Sequence, residues 1–260
     1  MPPDFVYDLS ETAMFLLVLL VTGGVAGAVH LLFLSRPLRR ISERTGDLSP
    51  AIQALCGTLF VLSVTFLANS VWQSEQRARE AVHAEARNIR VIRTYMSAMV
   101  GSSEESLMRI VGNYAKAVES EWSRMAVADG NARSETELSA IYSATILGLA
   151  QGEQNRLLQQ RILAALDDLS AARQLRLGMA RDVVSGGQWF LVTALAFLLI
   201  AVIAISHGCF PAARAVALGA ISLAISIALF VILAHDRPFV GRLAITPGSI
   251  LEAAAQGPSG

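Results

Sequence analysis

Apolar positions along the chain follow two patterns. In four stretches, residues 13–34, 51–72, 188–206 and 212–234, they run almost without interruption, and elsewhere they recur at steps of three and four. A run of about 20 apolar residues crosses about 30 Å of hydrocarbon as an α-helix rising about 1.5 Å per residue. The four runs therefore predict four transmembrane helices. The third is the shortest, and the fourth carries Arg214 close enough to its start for the guanidinium to snorkel to the interface. Asp4, Asp8 and Glu11 precede the first run where a secretory leader would be basic, and the run is longer than a leader's apolar core, so it is expected to remain in the membrane.

The second run does not end with its last hydrophobic residue. From Phe66 to Arg87 the sequence FLANSVWQSEQRAREAVHAEAR changes from membrane-like to charged and amphipathic with no Gly or Pro. One helix from residue 51 to about residue 100, roughly 75 Å long, is predicted to leave the bilayer unbroken. It opens a hydrophilic insert, residues 73–187, whose helices are separated at Gly101-Ser102-Ser103, Asp129-Gly130-Asn131, Gly152 and Ser185-Gly186-Gly187. Ser102 to Glu105 and Ser134 to Glu137 have capping-box spacing, which places helix starts at those serines. Leu158, Ile162, Ala165, Leu169 and Ala172 form an apolar stripe that needs a partner surface. No segment alternates with period two over a useful length. The expected fold is an all-α integral membrane protein with four transmembrane helices and a helical extramembrane domain inserted between the second and third. Its parts are a first membrane helix pair (1–72), the extramembrane domain (73–187), a second membrane helix pair (188–235) and a C-terminal tail (236–260).

Composition narrows the function classes. Hydrophobic residues make up 53% of the 260-residue chain and charged residues 16%, against about 25% charged in an ordinary soluble domain. The 21 basic and 21 acidic residues cancel, so there is no electrostatic footprint for nucleic acid. Cys56 and Cys209 fall in or beside predicted spans and have no metal-ligand spacing. A Gly-rich phosphate loop, a nucleophile elbow, a zinc-protease motif and paired cysteines are all absent from the sequence. Glu104-Glu105 and Asp167-Asp168 are adjacent carboxylates, which point in different directions on a helix. The expectation is a multi-pass protein of the inner membrane that is not an enzyme and uses no metal and no cofactor.

Charge gives two conflicting signals on sidedness. The tail before the first span has no Lys or Arg, while the loop at 35–50 carries Arg36, Arg39, Arg40 and Arg44. The positive-inside rule then puts this loop in the cytoplasm and the insert and both termini outside. Arg77, Arg79, Arg87, Arg90, Arg173, Arg176 and Arg181, near the two membrane entries of the insert, argue the opposite. The first signal carries more weight because the first helix usually sets orientation.

Candidate chemistry gathers on the long second helix. Thr58, Thr65, Asn69, Gln76, Glu80, His83 and Arg87 fall at steps of seven, four, seven, four, three and four, so they share one face, with Leu62 between the two threonines. Polar groups within a span need a partner or water. Two readings stay open. The groups bond neighbouring helices or their own backbone, which is their more common use; or Thr58, Leu62, Thr65 and Asn69 line a pore with Gln76, Glu80, His83 and Arg87 at its mouth. In the first span, Gly23 and Gly27 form a GxxxG pair suited to close helix approach, more commonly inside one subunit than in a dimer. His30 on the same span is read as a packing residue in preference to a proton relay. The fourth span ends in HDRPFVG, where Asp236, Arg237, Pro238, Phe239 and Gly241 make a helix terminus anchored at the interface or a clamp on the tail.

Several residues together resemble the bestrophin-like membrane protein family of bacteria and plants over nearly the whole chain. They are Val71-Trp72 with Glu75, Tyr114, Glu121-Trp122, Arg173, Arg176-Leu177 before Trp189, and above all Asp236-Arg237-Pro238-Phe239 with Gly241. Where the family often has an Asn-Asp pair before the second span, this chain reads Asp47-Leu48-Ser49-Pro50. The resemblance implies a homo-oligomeric, ring-like channel, with a pentamer as the candidate stoichiometry, whose second span lines an anion-conducting pore. Its implied partners are the lipid bilayer, further copies of itself and inorganic ions. It also implies a cytosolic helical domain, against the first-helix charge signal. The alternative is a membrane-anchored sensor or scaffold whose helical domain binds a partner or ligand.

Overall fold

The computed structural model describes residues 4–34, 50–98, 104–122, 124–125, 132–148, 156–181, 184–207 and 210–255. Among these, all regular structure is helical: a 3-10 turn at Asp4–Val6, then α1 (Glu11–Leu32), α2 (Pro50–Ser97), α3 (Glu104–Trp122), α4 (Ala132–Gly148), α5 (Arg156–Arg181), α6 (Gly186–Ser206), α7 (Pro211–His235) and α8 (Gly248–Ala255). Four of these helices, α1, α2, α6 and α7, are long and apolar enough to cross a membrane. Each contains one of the predicted runs, apart from the last two residues of the first. The long second helix spans 48 residues, about 72 Å at 1.5 Å per residue. The breaks around Gly101, Gly130 and Gly152, the loop arginines and Cys209 lie outside the described residues.

The chain divides into two compact units, Met1–Gln73 with Val184–Asp236 and Ser74–Val183 with Arg237–Gly260. In the first, α7 runs antiparallel to α1 and packs on α6. Pairs along α1 and α7 fix that direction: His30 meets Arg214, and Thr22 meets Ser226 through a 2.5 Å hydroxyl–hydroxyl bond. Phe15 and Phe230 add an edge-on contact at 5.6 Å. Lipid is as apolar as these side chains, so packing and such hydrogen bonds hold the helices together. Local chemistry sets the ends. The Ser10 hydroxyl accepts from the Ala13 N–H at the start of α1, Ser185 and Gln188 close a reciprocal capping box on α6, and Pro211 opens α7. Outward faces remain apolar, with Leu20, Phe66, Phe190 and Val216 exposed, as lipid contact requires.

The second unit is built like a soluble domain. Val82, Ile89, Ile92 and Met96 of α2 meet Val111, Tyr114 and Val118 of α3, Ile141 of α4, Ile162, Leu166 and Leu169 of α5, and Ile250 of α8 in one core. Each large apolar side chain withdrawn from water there contributes about 1.5–3 kcal/mol. The stripe read on α5 faces this core, with Ile162, Ala165, Leu169 and Ala172 buried and Leu158 half-buried. Ser134 corrects the sequence reading. The helix begins two residues earlier, at Ala132, and the fully buried Ser134 hydroxyl donates to Glu121 Oε1 at 3.0 Å. Inside the first turn instead of before it, this hydroxyl also accepts from Arg173 Nη2 at 3.2 Å, so it belongs to the buried Glu121–Arg173 pair.

Candidate functional site

α2 has two opposite faces along its whole length. Within the first unit Cys56, Phe60, Leu67 and Val71 are buried, at steps of four, seven and four; within the second, Ala78, Val82, Glu85, Ile89, Ile92 and Met96 continue the pattern. Residues two positions away point to the other side of a helix with 3.6 residues per turn. They are the predicted polar stripe. Thr58, Leu62, Thr65, Asn69, Gln76, Glu80, His83 and Arg87 are all exposed, so the described elements leave this face uncovered. Thr58 Oγ1 donates to Ala54 O at 2.7 Å and Thr65 Oγ1 to Val61 O at 2.8 Å. The hydroxyls of these two threonines are thus satisfied by their own helix, which is the first of the two readings of the stripe.

Charge along the exposed extension is partly balanced. Gln76 Nε2 donates to Glu80 Oε1 at 3.3 Å, and Arg79 reaches Glu75 at 2.6 Å. His83, Arg87 and Arg90 are exposed beside them. Among the described residues no group of three or more His, Cys, Asp or Glu is placed to hold a metal ion.

The other predicted positions lie elsewhere. Gly23 and Gly27 are not at a close helix approach among the described residues: a Cβ added at either would meet nothing within 4 Å. His30 is a packing residue in the sense that its Nδ1 accepts from Arg214 Nε at 3.3 Å. Asp236 is 3% exposed and ties three segments of the first unit, accepting from the Tyr7 hydroxyl at 2.7 Å and from the Val184 N–H at 2.9 Å. Beyond it, Pro238 O accepts from the Ile245 N–H and Phe239 packs edge-on to Trp122 at 5.7 Å. Gly241 has φ 86°, a conformation that favours glycine. The motif therefore anchors a helix end and shapes the turn after it.

A buried ionic cluster in the second unit escaped the sequence reading. Arg176, wholly buried, donates to Glu85 at 2.7 Å through Nε and to Glu121 at 2.9 Å. Arg173 meets Glu121 at 2.7 Å, the Tyr114 hydroxyl donates to Glu85 at 2.7 Å, and the Trp122 ring lies 4.8 Å under the Arg176 guanidinium. Burial, then the Glu85 carboxylate, push the Tyr114 phenol well above its ordinary range. Burial pulls Arg176 down, but Glu85 and then Glu121 outweigh it and hold the guanidinium firmly protonated. Two cations against two anions give a balanced, hydrogen-bonded group, the form in which buried charge is tolerated. A signal was present: Glu85, Glu121 and Arg176 each stand at an apolar-stripe position of their helix.

This arrangement, apolar spans followed by a helical unit with a buried charge cluster, defines an all-helical membrane protein. The chain belongs to the bestrophin-like family, whose domain model matches residues 15–250. Its fold is similar to the crystal structure of a point variant of a membrane protein, with a TM-score of 0.75 and 12% identity over 93% of this chain and 99% of the other. It is also similar to a bacterial bestrophin homolog from Klebsiella pneumoniae, with a TM-score of 0.70 and 12% identity over 94% of this chain and 99% of that one. A search of curated proteins finds no match.

Proposed function

We propose that the chain is one subunit of a homo-oligomeric ion channel in the cell's inner membrane, with α2 of each copy around a central axis. Thr58, Leu62, Thr65 and Asn69 line the pore and Gln76, Glu80, His83 and Arg87 its mouth. The observation that carries this reading is the uncovered stripe, exposed on one helix from the membrane half to the charged half while the opposite face is buried. A second copy brought to that face would enclose a polar path, whereas lipid against Asn69 would leave its amide without partners. Family membership supports the reading. Anions are the expected ions, because Arg87, Arg90 and His83 raise local anion concentration at the mouth. Placement of residues 73–187 outside the membrane, and a pentameric count, belong to the same proposal.

Ion flux into liposomes loaded with purified protein tests it. The channel reading predicts chloride entry that rises with protein content. A membrane-anchored sensor or scaffold predicts none above empty vesicles, and that result would replace the proposal.

A further inference from the structure

α1 and α7 leave a groove of about 390 Å³ between them, largely aliphatic, with Gly23, Gly27, Gly219 and Ser222 in its wall. A Cβ added at any of the three glycines would meet nothing within 4 Å, so the described residues leave the space unfilled. Ser222 is 3% exposed, and its Oγ has no hydrogen-bond partner among the described residues. The hydroxyls nearby are satisfied: Thr22 donates to Val18 O at 2.8 Å and Ser226 to Ser222 O at 2.6 Å. A buried hydroxyl without a partner needs one from whatever fills the groove.

Depth selects the occupant. Ser222 stands next to the middle of the apolar run 212–234, near the centre of the bilayer. The phosphate and ester groups of a phospholipid lie at the edge of a hydrocarbon layer about 30 Å thick, about 15 Å from that depth, so lipid brings only hydrocarbon to this hydroxyl. A transmembrane helix brings backbone carbonyls to every depth, each with a second lone pair beyond its own helical bond, and a glycine-lined wall admits such a backbone closely.

We infer that the groove receives the α2 span of a second copy of the chain, with Ser222 donating to the carbonyl of Gly57. The matching face of α2 is Ala54, Gly57, Val61, Val64 and Ala68, at steps of three and four. At 100° per residue it lies between the buried positions Cys56, Phe60 and Leu67 and the polar stripe. Ala54 and Val61 are exposed and the other three half-buried, and a Cβ added at Gly57 would meet nothing within 4 Å. Direction and depth agree with this docking. α7 runs antiparallel to α1, and consecutive spans cross in opposite directions, so α2 is parallel to α7. A copy related by an axis along the membrane normal keeps its depth, and the Gly57 carbonyl points towards Val61, next to the middle of the run 51–72. Groove and flank are different surfaces, so the contact is head-to-tail, the kind that generates rings, and it leaves the polar stripe free to face the axis. The inference rests on the homo-oligomeric part of the proposed function and not on conduction.

The test is oxidative cross-linking of the full-length protein in membranes, with Cys56 and Cys209 replaced and Gly57→Cys combined with Gly219→Cys. The pair should give a ladder of disulfide-linked copies on denaturing gels. Gly57→Cys combined with Phe197→Cys, which is exposed on α6 outside the groove, should not. Without any cross-linker, Gly219→Leu should lower the assembled fraction seen by light scattering about tenfold, because its side chain overfills the docked groove. An oligomer that neither cross-links at this pair nor responds to Gly219→Leu would overturn the contact while sparing the oligomeric reading, and is the result a lipid-filled groove would give. A monomer would overturn both. Cross-linked copies without ion flux would uphold the contact and count against conduction alone.

Discussion

Arg176 concentrates the energetic risk of the second unit at one side chain. It is wholly buried and pairs with both Glu85 and Glu121, so removing it strands the Glu85 carboxylate away from water and leaves Glu121 to Arg173. Arg176→Leu is expected to cost about 3–5 kcal/mol, whereas Arg79→Ala, which breaks an exposed pair, costs less than about 1 kcal/mol; thermal unfolding of the detergent-solubilised protein distinguishes them. Tyr114 adds a pH dependence with a defined sign. Its folded-state pKa lies above the ordinary value of about 10, so its contribution is fully present below about pH 10 and is lost as pH rises through the folded pKa. Tyr114→Phe should remove that alkaline loss and cost about 1–3 kcal/mol at neutral pH, read from unfolding midpoints across pH 8–12. The signal at this scale was legible but easily misread. A charge inside an apolar stripe, as at Glu85, looks like an ordinary break in amphipathicity until the partner on another helix is known.

α2 is the element that the sequence announced most clearly, because an uninterrupted pattern without Gly or Pro leaves a helix no reason to stop between the span and the charged extension. Ala78 lies just past the boundary between the two units and is fully buried. Ala78→Pro removes the hydrogen bond to Ser74 O and clashes with that carbonyl, costing about 3 kcal/mol or more and kinking the helix. The variant should still insert but assemble differently, as seen by size-exclusion chromatography with light scattering, while Ala78→Ser, whose hydroxyl can bond the same carbonyl, should assemble as the unsubstituted protein does. Helix ends were read less evenly. Ser185 caps α6 in a reciprocal box with Gln188, yet the same kind of spacing at Ser134 marks no helix start: that serine lies two residues inside α4, where its buried hydroxyl donates to Glu121 of another helix. Likewise the Gly23–Gly27 spacing signals a small-residue face without saying what lies against it. Local spacing carries local geometry; a partner distant in sequence leaves no trace in it.

For the whole molecule, the loop arginines and the insert arginines vote for opposite orientations, and one labelling experiment decides between them. Glu119 is exposed on α3. In a variant with Cys56 and Cys209 replaced, Glu119→Cys should react with a membrane-impermeant maleimide in intact cells if the first-helix charge rule governs; labelling only after lysis would place residues 73–187 in the cytoplasm. The four spans and the all-helical class were legible because bilayer thickness and helix rise fix the length of an apolar run. Exposure of the polar stripe was not, because the same period also suits a face buried against a neighbouring helix. Planar-bilayer recording tests the central claim, that this uncovered face of α2 lines an ion path. Purified protein should conduct, Asn69→Leu should change unit conductance, and Arg87→Glu should shift the reversal potential in asymmetric salt away from anion preference; no conductance above the bare bilayer, or unchanged conductance and selectivity in both variants, would contradict it.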